Sequence, residues 1–317
     1  MLTYILFVLG FIFLIKGADY LVDGSSSIAK RIGVSDLVIG LTIVSFGTSA
    51  PELLVNIIAS FKGASDIGIG NILGSNIANI CLILGIAALI RSLRIRKTTT
   101  WRGIPLNFLS AVILFLVAND IWIDKANESI LSRIDGFILM AFFVIFMYYT
   151  FGLAKTEPNH KEKFQARHLP TSILMTIGGC VALAFGGQWV VDGAVVIARN
   201  FGLSEALIGL TIVAVGTSLP ELATSAVAAY KGNTDIAVGN VVGSNIFNIF
   251  WVLGLSAIIR PLPFVSMINT DILVFLGATI LLFIFSFTGK RSHIEKWEGA
   301  IFVAAYIGYI VFLIMRG

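Results

Sequence analysis

Glu52 and Glu221 set the chemical question. Each stands directly after a proline inside a long apolar stretch, in the matching strings Gly40-Leu-Thr-Ile-Val-Ser-Phe-Gly-Thr-Ser-Ala-Pro-Glu52 and Gly209-Leu-Thr-Ile-Val-Ala-Val-Gly-Thr-Ser-Leu-Pro-Glu221. An ionised carboxylate in such surroundings is costly and is usually kept for an ion or substrate path. Thr48, Ser49 and Glu52 fall within one helical turn, and Thr217, Ser218 and Glu221 repeat them. Downstream, Gly70-Asn-Ile-Leu-Gly-Ser75-Asn-Ile-Ala-Asn79 and Gly239-Asn-Val-Val-Gly-Ser244-Asn-Ile-Phe-Asn248 add hydroxyls and amides four residues apart, on one helix face. Every donor is a hard oxygen, which suits sodium, calcium or magnesium and argues against copper or zinc. Singly, such hydroxyls and amides also tie membrane helices together, and glycines at 70, 74, 239 and 243 serve close helix packing. The paired glutamates make the ensemble a binding site.

The elements that must position these groups are membrane helices. Of 317 residues, 57% are hydrophobic and 13% charged, against roughly 25% charged in an ordinary soluble domain. Mean hydropathy is +0.94. Apolar runs long enough to cross a ~30 Å hydrocarbon layer lie near 3–28, 36–61, 67–90, 104–119, 130–153, 171–198, 206–230, 236–259, 268–288 and 297–315. Met1 to Phe13 has no basic leader and reads as part of the first span, not as a cleavable signal.

Shifting the chain by 169 residues aligns 40–91 with 209–260, and 29 of those 52 positions are identical. Five spans, an odd number, separate equivalent points, so the second copy crosses the membrane in the opposite direction. The expected fold is therefore an all-α polytopic membrane protein of ten transmembrane helices in two inverted five-helix repeats. The first repeat is 1–154, the polar linker 155–170 and the second repeat 171–317. Inverted repeats place substrate sites at their interface near the bilayer midplane, often on broken helices. Pro51 and Pro220 supply the breaks, because they deprive the carbonyls of Gly47 and Gly216 of their helical partners.

Lys and Arg residues fix the orientation. With both termini outside, fifteen of them fall on the cytoplasmic side and six on the other, so the positive-inside bias places both termini extracytoplasmic and the linker in the cytoplasm. Lys16, Asp19 and Asp23 are expected near an interface or paired with one another, and of these only Asp23 recurs, as Asp192. Asp36, Asp66, Glu205 and Asp235 stand near span starts, where capping is expected.

Other classes fall away. Two cysteines, Cys81 and Cys180, without Cys-x-x-Cys spacing, and three histidines build no zinc site, haem site or disulfide scaffold. The net charge of +4 is explained by loop topology, so no nucleic acid is expected as partner. No nucleophile–base pair or phosphate loop accompanies the carboxylates, so the chain is not read as an enzyme and no cofactor is expected.

Gly-Thr-Ser-x-Pro-Glu at 47–52 and 216–221, each followed by Gly-Ser-Asn-Ile-x-Asn at 74–79 and 243–248, resembles the α-repeats of the calcium/cation antiporter superfamily, and in particular its prokaryotic sodium/calcium exchangers. The resemblance implies a multi-pass protein of the cell membrane whose partners are calcium, sodium and lipid, with no obligatory protein partner. It implies a central calcium site from the carboxylates of Glu52 and Glu221 and the carbonyls of Thr48 and Thr217. It implies sodium sites from Ser49, Ser244 and the Ser45 carbonyl on one side, and from Ser75, Ser218 and the Ala214 carbonyl on the other. Asn79 and Asn248 would hold a central water or ion. Part of the family has an aspartate where this chain has Asn248, an absence that argues against potassium dependence and leaves a formal pocket charge of −2. The family further implies that the first and sixth spans slide against the rest, with Gly17, Gly24, Gly186, Gly187 and Gly193 compatible with a sliding surface. A proton/calcium antiporter, another divalent cation as substrate, and a passive cation channel stay open as alternatives.

Overall fold

The computed structural model describes residues 2–62, 65–123, 125–156, 167–201, 214–290 and 292–316. In lipid every backbone polar group needs an internal partner, so apolar segments of this length become helices. In chain order the principal helices are α1 (Leu2–Ile32), α2 (Asp36–Thr48), α3 (Ala50–Lys62), α4 (Gly68–Ile90), α5 (Thr99–Val117), α6 (Arg133–Thr156), α7 (Leu169–Asn200), α8 (Leu219–Lys231), α9 (Thr234–Ile259), α10 (Ile268–Phe285) and α11 (Lys296–Arg316). Among the described residues eight of these are long and apolar enough to cross a membrane, and α2 with α3 makes a ninth, bent by 45°. Of the expected span 206–230, the part before Ala214 lies outside the described residues, as do Glu205 and most of the central linker.

Helices α4 and α9 form the centre, with 78% of their most apolar windows buried. Around them the contacts come in pairs. Gly136 of α6 packs on the backbone of Gly254 in α9, and Gly299 of α11 packs on the backbone of Gly85 in α4. Two short antiparallel strand pairs echo this exchange, Leu93–Arg94 with His293–Ile294 and Ile130–Leu131 with Leu262–Pro263. The buried Asn119 and Asn269 side chains bond reciprocally, at 2.8 and 2.7 Å.

Boundaries differ from expectation where polar residues ride on helices. The fourth span starts at Thr99 instead of 104, because a π-helical turn over Thr99–Gly103 carries Arg102. Helix α6 runs through Thr156 and α7 starts at Leu169, so both helices reach into the polar stretch 155–170. Capping falls to Ser35 and Asn233, whose side chains accept from the amides of Val38 and Ile236. Asp36 and Asp235 stand in the first turns instead, where Asp36 accepts from Asn233 at 2.8 Å and Asp235 pairs with Arg96.

The end of the chain is tied down by one ionic group. Asp271, at the start of α10, accepts from both terminal guanidinium nitrogens of Arg316, at 3.2 and 3.3 Å, and from Tyr309 at 3.0 Å. Asp271 is 5% exposed, so Asp271→Asn leaves Arg316 without its charge partner. Discounted for the part-exposure of Arg316, the cost is about 1–2 kcal/mol. Thermal unfolding, followed by dye labelling of the buried Cys81, is expected to shift down by about 3–5 °C. An unchanged midpoint counts against a stabilising role.

Candidate ion-binding site

The bend between α2 and α3 falls at Ser49, whose φ of −84° and ψ of 3° interrupt the helix two residues before Pro51. Ser218, with φ −90° and ψ 6°, makes the same interruption before Pro220. Each glutamate then stands in the first turn of the following helix, where the positive end of the helix dipole favours a carboxylate. Glu52 is 0% and Glu221 1% exposed.

The two halves meet through their polar side chains. Ser49 of the first copy donates to Glu221 Oε1 at 3.0 Å, and Ser75 donates to Glu52 Oε1 at 3.0 Å while lying 2.5 Å from Ser218 of the second copy. Thr48 donates to Asn240 at 3.0 Å and lies 3.5 Å from Ser244, and Thr217 donates to Asn71 at 3.4 Å. The Ser45 carbonyl accepts from the Ser49 amide and the Thr48 hydroxyl. The predicted residues therefore form two clusters, one of Ser45, Thr48, Ser49 and Ser244 beside Glu221, and one of Ser75 and Ser218 beside Glu52. Ala214 opens the short helical turn Ala214–Gly216 that leads into Thr217.

Between the clusters, Asn79 donates to Asn245 at 2.9 Å and Asn248 to Asn76 at 3.0 Å. Both Asn79 and Asn248 lie at the start of seven-residue π-helical stretches, Ala78–Leu84 and Phe247–Leu253, a distortion that recurs at functional sites. Within the site, Glu52 Oε2, Glu221 Oε2, Asn79 Oδ1 and Asn248 Oδ1 are buried and have no hydrogen-bond partner among the described residues. Buried acceptors are normally satisfied, and cations are the partners that suit carboxylate and amide oxygens together. No described group of three or more His, Cys, Asp or Glu side chains is placed to hold a metal, so an ion held by the two carboxylates would need its remaining ligands from hydroxyl, amide and carbonyl oxygen.

The amides of Asn71, Asn76, Asn240 and Asn245 also hold the site residues, beyond those that composition and helix spacing single out. Their signal was present, since each recurs at the 169-residue offset inside the quoted motif. Asp19 and Asp23 stand apart from the glutamates, paired with Lys231. Asp192 accepts from Gln188 of its own helix at 2.8 Å.

The tandem glycines need a correction. Cβ atoms on Gly10, Gly17 and Gly24 of α1 would meet the backbone of α7 at Gly186, Gly179 and Ser172, 2.8–3.0 Å away, and Gly193 faces Phe7 of α1. These glycines join α1 to α7 in an antiparallel pair instead of forming a surface that slides on the remaining helices. Gly187 faces α8 instead, 3.6 Å from the ring of Pro220.

Comparison with known proteins gives the same direction. The family model described as sodium/calcium exchanger protein matches residues 2–152 and 171–315. The putative antiporter CaxA of Alkalimonas amylolytica is 40% identical over 98% of both chains. The sodium/calcium exchanger MaX1 of Methanosarcina acetivorans is 34% identical, again over 98% of both. Among solved structures, the sodium-calcium exchanger NCX_Mj soaked with Na+ and Ca2+ superposes with a TM-score of 0.83 at 34% identity, covering 98% of each chain. With buried paired carboxylates, membrane-length helices and these relatives, the chain belongs to the sodium/calcium exchanger family of membrane antiporters.

Proposed function

We propose that this chain exchanges sodium for calcium across the cell membrane by alternating access. Its ten helices form two inverted repeats, 1–154 and 171–317, joined by the linker 155–170 on the cytoplasmic side, with both termini extracytoplasmic. The paired packing of α6 on α9 and of α11 on α4 supports the repeat arrangement. The observation that carries the functional reading is the pair of buried carboxylates, each bonded to a serine through one oxygen, with the other accepting nothing from the described residues.

Ca2+ prefers six to eight oxygens, and in this reading Glu52 and Glu221 provide charge while the carbonyls of Thr48 and Thr217 complete its protein ligands. The cluster of Ser45, Ser49 and Ser244 and the cluster of Ser75, Ser218 and the Ala214 carbonyl each take Na+. Asn79 and Asn248 hold a central water or ion. Because Ser49 and Ser75 already touch the carboxylates, sodium in the flanking sites and calcium in the centre compete for the same negative charge. Occupancy is then mutually exclusive, which couples the two fluxes without a separate device. With three sodium ions per calcium, one net charge crosses per cycle and the rate responds to membrane potential.

The test is calcium uptake into proteoliposomes under an outward sodium gradient or a proton gradient of equal size. Uptake driven by sodium alone is expected. Uptake driven by protons alone would replace the counter-ion, and uptake without either gradient would reject antiport.

A further inference from the structure

The Lys231 ammonium lies 2.7 Å from Asp23 Oδ1 and 3.0 Å from Asp19 Oδ1, and it also donates to the Asp19 carbonyl at 3.3 Å. Lys231 ends α8, the helix whose first turn carries Glu221, and the two acids belong to α1. This group therefore ties the α1–α7 pair to the helix bearing a site carboxylate, about 15 Å along α8 from that carboxylate. Arg167 adds a second, longer contact to Asp23, at 3.6 Å, and its amide donates to Ser27 at 2.9 Å. A displacement of α1 and α7 by a few ångströms along α8 breaks the Lys231 contacts.

The repeat extends the argument to the opposite face. A shift of 169 residues carries Lys231 onto Lys62, Asp23 onto Asp192 and Asp19 onto Gln188. Lys62 closes α3 as Lys231 closes α8, and Asp192 and Gln188 stand on α7 as their counterparts stand on α1.

We propose that Lys231 with Asp19 and Asp23, and Lys62 with Asp192, are alternating ionic latches, one at each membrane face, of which the first is closed in this structure and the second, inferred from the repeat in the sequence, serves the opposite state. The latches are unequal by one carboxylate, because Gln188 replaces the counterpart of Asp19. The state closed at the Lys231 face is thereby favoured. This rests on the alternating-access reading above. A part-exposed ion pair is worth little alone, yet it needs only to bias an equilibrium between two states of similar energy.

The test uses a Cys81→Ala/Cys180→Ala background with the reporter Val22→Cys. Val22 is 2% exposed and lines the cavity of about 240 Å³ beside Lys231 and Asn233. Lys231→Gln, or Asp19→Asn with Asp23→Asn, is expected to raise maleimide labelling of the reporter about threefold. Lys62→Gln is expected to lower it by a similar factor, and Asp23→Lys with Lys231→Asp to restore the original rate. If Lys62→Gln and Lys231→Gln both raise labelling, the contacts merely brace the fold and the latch is rejected. No response to Lys231→Gln rejects it as well. Labelling needs no transport, so the expected pattern without sodium-driven uptake supports the latch while sinking the exchanger reading. Uptake intact without the pattern sinks the latch alone.

Discussion

Glu52→Gln and Glu221→Gln are each expected to lower calcium uptake at least a hundredfold, equivalent to about 3 kcal/mol, in protein that folds and purifies normally. Glutamine keeps the shape of the side chain, and its carbonyl can still accept from Ser75 or Ser49, which lie 3.0 Å from the present carboxylates. Charge is the main property removed. In a pocket whose described acids are these two, each change halves the negative charge that faces a divalent ion. Ser75→Ala and Ser49→Ala leave the charge in place and remove one hydroxyl, so their calcium deficit is expected to stay within about tenfold. Radiolabelled calcium uptake in proteoliposomes separates the two classes. Either glutamine variant retaining a tenth of the parent uptake would show that its carboxylate is not a calcium ligand.

Much of this site was legible in the chain because membrane segments leave few polar residues to choose from. Glu52 and Glu221 stand out in apolar surroundings, and the repeat doubles every signal, so Thr48, Ser49, Ser75 and Asn79 arrive with Thr217, Ser218, Ser244 and Asn248. The break at Pro51 and Pro220 was legible as well, since a missing amide hydrogen is a local property. Its position two residues earlier, at Ser49 and Ser218, is set by how the chain turns into the next helix. The π-helical stretches after Ile77 and Ile246 were not legible, because an extra residue per turn is imposed by neighbouring helices and leaves no composition of its own. Glycine is ambiguous in sequence for a related reason. It permits close approach, but only the structure says to which neighbour, and for Gly17, Gly24 and Gly186 that neighbour is the other member of the α1–α7 pair.

That pairing leads to a second large effect. Between helices in lipid there is little hydrophobic driving force, so close van der Waals packing of small residues carries the association. A Cβ on Gly179 would lie 2.7 Å from both the Gly17 carbonyl oxygen and the Leu21 amide nitrogen, and one on Gly186 would lie 2.9 Å from the Gly10 carbonyl oxygen. Backbone cannot rotate aside as a side chain can, so the helices must separate. Gly179→Val is therefore expected to cost about 1–3 kcal/mol through overpacking and to lower the unfolding midpoint by several degrees. It is also expected to reduce sodium-driven calcium uptake at least tenfold, because the proposed alternating access requires α1 and α7 to move as one body. Gly178, the adjacent glycine of α7, has no described atom within 4 Å of a built Cβ, so Gly178→Val provides the matched control. Both substitutions add the same side chain to the same helix and change its intrinsic propensity equally. The difference between them isolates the α1–α7 contact, and equal midpoints and equal uptake would mean that this contact neither stabilises the protein nor serves transport.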